Sequence, residues 1–340
     1  MSLVDAAFLQ AGFKRLEGAL HDRLAILFGS AGDKAAEATH GLADAAHLSS
    51  VATKLPEDMH LDTLNFKLAA KQPLLKGGHL PKQIMTDRFG KSWLFKTTMP
   101  GKEYRALGDR AGSRIFDAIG LDTPKVSTTR LPANLSYKTL AGDVLPVKGD
   151  VYGNIQRMVE SNGKALPSDV RKLTQSQIDQ LTVSHVGRTL IFDNDGKAAN
   201  FLTRPDGSIA SIDLGNMYRY TEQGPLTRDY APNPGDAPYY NKLWQGYVDG
   251  KINLDFSKGL RQVAKIEALP DDQFKQLLRP YAEARYAQGD AAPGYPTVES
   301  FLRMAVDRKQ NMRGLMTNFY DGLAKARGLS GLDAALAKKP

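Results

Sequence analysis

The chain of 340 residues has a formal net charge of +8, is 42% hydrophobic and 24% charged, and contains no cysteine. These values are ordinary for a soluble globular protein with a sizeable core, and the lack of cysteine excludes disulfides, zinc–thiolate sites and a cysteine nucleophile. The basic balance favours an anionic partner: a nucleotide, an anionic lipid or an acidic protein. Because Lys and Arg are scattered rather than clustered with aromatic residues, we expect no nucleic-acid partner.

The sequence has no apolar run long enough to span a bilayer, and its first residues do not combine a basic region with an apolar one. We therefore expect a cytoplasmic protein, or an effector that is secreted into a host cell by a dedicated machine.

Residues 1–72 are predicted to form an N-terminal helical module. Its apolar residues recur at spacings of three and four, which is typical of an amphipathic helix. They are Leu9, Phe13, Leu16, Leu20, Leu24 and Leu27. Such a helix either braces the main domain or binds a membrane surface or a partner, and the mixed charges of its polar face favour bracing.

Residues 73–160 are predicted to form a β-rich lobe. A turn at 87–90 separates two β-prone runs, which indicates a hairpin. A helix is expected over 102–119, with Gly120 as its stop. The predicted strands are 83–86, 92–96, 126–131, 143–147 and 154–159.

Residues 161–330 are predicted to form a helical lobe, which completes an α+β layout with a ligand cleft between the lobes. Thr174 and Gln177 have the spacing of a capping box at the start of a helix that runs to about Phe192. Residues 223–240 hold four prolines and are expected to be an irregular loop. A long apolar stripe follows over 301–319.

The most informative stretch is 193–215. Asp195 and Asn200 are five residues apart, so a tight loop can point both side chains into one site. Residues 205–207 (Pro-Asp-Gly) then predict a hairpin turn that returns Asp213 alongside Asn200. Carboxylate and amide oxygens of this kind suit Mg²⁺. The same residue types are also ordinary turn formers, and for Asp193 and Asn194 that simpler interpretation stays open.

The β-rich lobe offers positive charge. Lys96 ends the second strand of the first hairpin, where it is either an ordinary surface lysine or a contact for nucleotide phosphates. A carboxylate of the next helix, Asp109 or Glu103, would hold it. Residues 77–82 precede the hairpin, and their Gly77, Gly78 and Lys82 are candidates for wrapping phosphates. No Walker-type Gly-Lys-Ser/Thr stretch occurs, which disfavours a P-loop NTPase.

Over residues 75–320 the chain resembles the atypical kinases that include the HipA-type bacterial kinases and the phosphatidylinositol 3- and 4-kinases. The resemblance rests on 77–82 (Gly-Gly-His-Leu-Pro-Lys), 93–96 (Trp-Leu-Phe-Lys), 108–115, 119–124 and the stretch from Asp195 to Asp213. It implies a bilobal protein-kinase-like α+β fold that uses ATP and Mg²⁺.

The resemblance also implies roles for single residues. Asp195 would be the catalytic aspartate, and Asn200 and Asp213 the metal ligands. Lys96 would hold phosphates, with Asp109 in place of the usual Glu, and Met158 and Val159 would belong to the hinge that contacts adenine. Lys197 stands where these families often carry His, whereas protein kinases of the main superfamily commonly carry Lys, so we include it as catalytic.

Three functions follow as expectations. The first is an ATP- and Mg²⁺-dependent kinase acting on a Ser/Thr hydroxyl of a protein. The second is a phosphoinositide lipid kinase, which the positive charge would suit. The third is a nucleotide-binding pseudokinase or effector scaffold. His185 is expected to be a structural histidine rather than a catalyst, and His79 could touch a phosphate.

Overall fold

The computed structural model describes residues 61–70, 82–98, 101–138, 144–163, 165–219, 221, 227 and 237–337. All of them belong to one compact unit, Val51–Pro340. The predicted N-terminal helical module lies almost entirely outside the described residues. So do Gly77, Gly78 and His79 of the predicted phosphate loop, and most of the predicted loop at 223–240.

A five-stranded antiparallel sheet forms the first part of the described chain, with strand order β1-β2-β3-β5-β4. Its strands are β1 Lys67–Leu68, β2 Lys82–Thr86, β3 Ser92–Thr97, β4 Val126–Lys138 and β5 Val144–Arg157. The predicted hairpin at 83–96 is confirmed as the pair β2–β3. Its turn is fixed by Asp87, which accepts hydrogen bonds from the backbone N–H groups of Phe89 and Lys91 and from the indole of Trp93, each at 2.9 Å.

The side chains of β3 alternate between the apolar core of this lobe and the opposite face of the sheet. Trp93 and Phe95 are fully buried and pack with Met85 and Ile155 in the core of this lobe. Because successive side chains of a strand point to opposite faces, Lys96 lies on the other face. The sheet thus presents a lysine on the side opposite its own apolar core.

The prediction of two separate strands at 143–147 and 154–159 is wrong. Strand β5 is continuous from Val144 to Arg157 and pairs with β4 along the whole length of β4. Two glycines lie between the two predicted strands: Gly149 has φ +88°, and Gly153 lies where a Cβ atom would be 2.2 Å from the carbonyl oxygen of Lys96. Glycine therefore permits a close approach between strands here instead of ending one.

One helix, α1 (Tyr104–Ala118), lies between β3 and β4 in the chain, as predicted, and Gly120 with φ +71° follows its end. The remaining described α-helices belong to the C-terminal part. They are α2 Gln175–Leu190, α3 Tyr240–Val248, α4 Phe256–Ala268, α5 Asp271–Ala287, α6 Val298–Gln310, α7 Met312–Ala326 and α8 Leu332–Ala337. The capping box of Thr174 and Gln177 at the start of α2 is confirmed.

The apolar stripe at 301–319 belongs to two helices, α6 and α7, rather than one. Asn311 separates them, and its side-chain amide donates to the carbonyl of Asp307 at 2.7 Å. Both helices bury their apolar faces in the large core of the helical lobe. The periodicity predicted the buried face correctly, whereas the division into two helices at Asn311 was not predicted.

The short hairpin β6 (Phe201–Thr203) and β7 (Ile209–Ser211) is also confirmed, with the predicted turn between its strands. The α+β fold with a β-rich N-lobe and a helical C-lobe is therefore confirmed. The domain boundaries at 72/73 and 160/161 stay predictions. None of the helices in the described part of the chain combines the length and apolar character that crossing a membrane requires.

Candidate active site

Lys96 lies between two carboxylates. Its Nζ is 2.9 Å from Oδ2 of Asp109 and 3.4 Å from Oδ1 of Asp213. Burial alone would lower the pKa of Lys96, but the two carboxylates raise this pKa above its ordinary value. Lys96 is thus a buried, permanently charged group and not an ordinary surface lysine. The pKa of Asp213 is lowered, first of all by Lys96.

Asp109 is held by three donors. Besides Lys96, the side-chain amide of Asn154 donates to its Oδ2 at 2.8 Å, and the backbone N–H of Leu214 donates to its Oδ1 at 3.0 Å. Asn154 and Lys96 are directly paired across β3 and β5, so both point to the same side of the sheet. The sequence analysis did not single out Asn154, because a lone Asn within a strand carries no motif.

Glu103, the alternative partner for Lys96, is not used in that way. Its carboxylate accepts hydrogen bonds from the backbone N–H of Gly101 at 3.3 Å and from the side-chain amide of Gln288 at 2.7 Å. It therefore joins the segment before α1 to the end of α5. The reason is position: Glu103 precedes the first turn of α1, whereas Asp109 lies in its second turn.

Helix α1 packs directly on the loop that carries Asp213. A Cβ atom on Gly112 would lie 2.7 Å from the Cβ of Leu214, so only glycine allows this approach. Asp213 itself has φ +59°, a left-handed conformation that is uncommon outside glycine. Unusual backbone conformations of this kind concentrate at functional sites, where the surroundings hold them in place.

The loop 193–200 presents Asp195. Lys197 Nζ lies 3.1 Å from each carboxylate oxygen of Asp195, and the side-chain amide of Asn216 donates to Oδ2 at 2.9 Å. Asn200 donates through its Nδ2 to the backbone carbonyl of Asp195 at 2.6 Å, which leaves its amide oxygen for another partner. The predicted proximity of Asn200 to the Asp213 strand is also observed, since Ile212 N–H donates to Asn200 O at 3.0 Å.

A buried ion pair anchors this loop to helix α2. Arg188 of α2 contacts the carboxylate of Asp193, and both side chains are almost fully buried. The same guanidinium donates to the carbonyl oxygens of Asp195 at 3.4 Å and Ile212 at 2.8 Å. Asp193 is therefore more than a turn former: with Arg188 it ties the Asp195 loop to the Asp213 loop. Burial raises the pKa of Asp193 to about 6, against the opposing effect of Arg188.

Two further predicted groups belong to the sheet or follow it directly. Lys82 pairs with Lys96 across β2 and β3, and burial lowers its pKa. Met158 and Val159 follow the end of β5, where the N–H of Met158 donates to the carbonyl of Ser92 at 3.2 Å. They connect the sheet to the helical lobe, as a hinge would.

His185 is structural. It is buried in α2 among the rings of Tyr240, Trp244 and Phe319, with ring centroids 4.8–5.3 Å away. Burial lowers its pKa to about 3, so the imidazole is neutral at ordinary pH. A neutral imidazole enclosed by aromatic rings is placed for packing rather than for acid–base chemistry.

The oxygen ligands of the site suit a metal ion that binds together with substrate phosphates. No cluster of three or more His, Cys, Asp or Glu side chains able to hold a metal occurs among the residues that the structure describes. Asn200 and Asp213 offer two oxygen ligands, and Mg²⁺ commonly binds one or two carboxylates together with substrate phosphates and water.

No protein-family model matches the chain, and no curated protein is detectably similar in sequence. Several solved structures are similar in fold, and three of them illustrate the comparison. The Helicobacter pylori proinflammatory kinase CtkA is 11% identical with a TM-score of 0.41, covering 78% of this chain and 98% of that chain. The amicoumacin kinase hAmiN is 12% identical with a TM-score of 0.32, covering 80% and 98%. The Rio2 kinase of Chaetomium thermophilum is 12% identical with a TM-score of 0.29, covering 80% and 70%.

The described part of the chain combines a five-stranded antiparallel sheet, one helix inserted before β4, and a helical lobe. The narrower HipA-type or phosphatidylinositol-kinase-type assignment stays a prediction.

Proposed function

We propose that the chain is a phosphotransferase that uses ATP and Mg²⁺ to phosphorylate a hydroxyl group. The observation that carries the proposal is Lys96, which lies between Asp109 of α1 and Asp213 of the helical lobe. This arrangement joins a buried cation on the sheet to an acidic loop, and Asp195 and Asn200 belong to the same loop system. Phosphoryl transfer needs fixed positive charge, oxygen ligands for a metal and a carboxylate near the acceptor.

The cleft residues fit both ligands. The Oε1 atom of Gln156 is buried and has no hydrogen-bond partner among the described residues. Gln156 shares the sheet face of Asn154 and lies two residues before Met158, so an exocyclic amine of a nucleobase would satisfy it. For the metal, the free amide oxygen of Asn200 and the ionised Asp213 are the ligands we assign.

Each group has a separate task in the reaction. Lys96 and Lys82 bind the nucleotide phosphates as fixed positive charges. Asp195 orients the acceptor hydroxyl and accepts its proton, while the acceptor oxygen forms a bond to the γ-phosphorus and the bond to the β–γ bridging oxygen breaks, releasing ADP. Asn200 and Asp213 would hold Mg²⁺, which would supply charge stabilisation to the phosphates when bound. Lys197 contacts Asp195 and balances charge beside the acceptor.

We assign a Ser/Thr hydroxyl of a protein as the acceptor. The support is the placement of Lys197, whose Nζ lies 3.1 Å from both Asp195 oxygens. This is the residue that protein kinases of the main superfamily commonly carry at the matching position. An inositol lipid is the competing acceptor, and a binding-only scaffold is the competing class.

The test compares the phosphoproteomes of cells that express the wild type or Asp195→Ala. New Ser/Thr phosphosites that depend on Asp195 are the expected result. In parallel, the purified proteins receive MgATP with vesicles that contain phosphoinositides. Transfer to lipid alone would overturn the protein acceptor, and MgATP binding without any transfer would indicate the scaffold. Absence of MgATP binding would overturn the whole proposal.

A further inference from the structure

Asn216 lies just beyond the residues that the sequence resemblance assigns to the site. Its Nδ2 donates to Oδ2 of Asp195 at 2.9 Å, across a separation of 21 residues. It is half-buried, three residues after Asp213, in the turn that follows Gly215. A single Asn in a turn has no sequence signature, so only the fold reveals this contact.

The contact makes the two oxygens of Asp195 unequal. Oδ2 receives hydrogen bonds from Asn216 at 2.9 Å and from Lys197 at 3.1 Å. Oδ1 contacts only Lys197 among the groups that the structure describes, also at 3.1 Å. A carboxylate oxygen can accept more than one hydrogen bond, so Oδ1 keeps capacity for an incoming hydroxyl. The Asn216 amide therefore selects which oxygen of Asp195 can face an acceptor.

The position of Asn216 depends on the loop that carries Asp213. Asp213 has φ +59°, and the turn that follows is closed by the N–H of Met217 donating to Leu214 O at 3.2 Å. Leu214 is in turn anchored by its N–H to Asp109. The chain of contacts runs from the Lys96–Asp109 pair through Leu214 and the turn to Asn216, and ends at Asp195.

We propose that Asn216 is a positioning residue for the phosphoryl-transfer step: its amide fixes the Asp195 carboxylate with Oδ1 toward the acceptor hydroxyl. The inference rests on the proposed function. Through Asn216, the orientation of Asp195 depends on the backbone conformation of the metal-binding loop, so the acceptor site is complete only when the Asp213 loop is in place.

Two variants test this assignment. Asn216→Ala removes the donor, and Asn216→Asp keeps the shape but places a second carboxylate beside Oδ2 of Asp195. We expect Asn216→Ala to lower kcat by about 10- to 100-fold, as for other small misplacements of a reacting group, with little change in the Kd for MgATP. For Asn216→Asp, which keeps the shape but loses the donor, we expect kcat to fall at least as far, again with little change in the Kd for MgATP.

The matched control is Asn318→Ala. Asn318 is exposed on α7, outside the segments that carry the site. We expect this variant to keep the wild-type kcat and the wild-type Kd for MgATP. A purely structural role for Asn216 would lower thermal stability and leave kcat unchanged, and that result would overturn the inference. So would wild-type kcat in Asn216→Ala.

The outcomes also separate the inference from the function on which it rests. If the wild type transfers phosphate and both Asn216 variants have the same kcat, the inference alone is wrong. A wild type that neither binds MgATP nor transfers phosphate removes the proposed function, and the inference with it. The isosteric Asn216→Asp variant keeps the test decisive if Asn216→Ala fails to fold.

Discussion

Lys96 and Asp109 form a buried ion pair with 2.9 Å between Nζ and Oδ2, and the two side chains are only 7% and 4% exposed. The short aspartate reaches the lysine because α1 lies close to the cleft, where Gly112 contacts Leu214 directly. Removing one partner of such a pair leaves an unpaired buried charge, which commonly costs about 3–5 kcal/mol. The close packing of α1 thus replaces the reach of a longer acidic side chain.

Lengthening this side chain should therefore damage the site. In Asp109→Glu the charge is kept, but the extra methylene disturbs the hydrogen bonds from Lys96, Asn154 and Leu214. We expect MgATP affinity to fall and stability to drop by about 1–3 kcal/mol from overpacking. Calorimetric titration and chemical denaturation measure both effects. Wild-type affinity in Asp109→Glu would contradict the packing argument.

The approach of α1 to the Asp213 loop depends on a glycine. Gly112→Ala places a Cβ atom about 2.7 Å from Leu214 Cβ, so helix or loop has to move. We expect about 1–3 kcal/mol of destabilisation and a loss of MgATP-dependent turnover. Gly314→Ala in α7 is the matched control, because no atom lies within 4 Å of the added Cβ. Gly314→Ala should raise the free energy of unfolding by about 0.5–1 kcal/mol. Equal effects of the two substitutions on unfolding would rule this account out.

Removing one member of the Arg188–Asp193 pair should strongly destabilise the protein, because the other member would remain as an unpaired buried charge. We expect Asp193→Ala to lower the free energy of unfolding by about 3–5 kcal/mol. The double variant Arg188→Met with Asp193→Leu should recover much of this loss, since buried ion pairs are often replaceable by apolar residues. It should nevertheless stay inactive, because Arg188 also donates to the carbonyls of Asp195 and Ile212. Recovery of activity together with stability would show that Arg188 has no positioning role.

The sequence predicts the parts of the site that depend on local spacing. Asp195, Asn200 and Asp213 come together because five residues and a Pro-Asp-Gly hairpin separate them, and both features are local. The position of Lys96 follows from strand alternation in the same way. Asn154, Arg188 and Asn216 were missed because each is a single polar residue whose partner lies elsewhere in the fold. The continuity of β5 was not predicted, because the close approach that Gly153 permits depends on the neighbouring strand β3, which local sequence does not reveal.

The buried imidazole of His185 should make stability depend on pH. Its pKa in the folded state is about 3, below the ordinary value of 6.5, so the folded protein holds it neutral. The stabilising effect is complete above pH 6.5 and is lost as the pH falls from 6.5 to 3, by about 1.4 kcal/mol per pH unit. Urea denaturation of the wild type and His185→Phe at several pH values measures this slope. A slope that is unchanged in the variant would contradict the assignment of the titrating group to His185.

We propose that Asp213 binds the metal for phosphoryl transfer from ATP. The most direct measurement is transfer of the labelled γ-phosphate by the wild type and by Asp213→Asn, with Asp272→Asn, whose carboxylate is 89% exposed, as control. We predict MgATP-dependent transfer by the wild type and the control, and a loss of at least about 100-fold in Asp213→Asn, because metal-assisted charge stabilisation contributes several kcal/mol. Wild-type transfer by Asp213→Asn would contradict the claim.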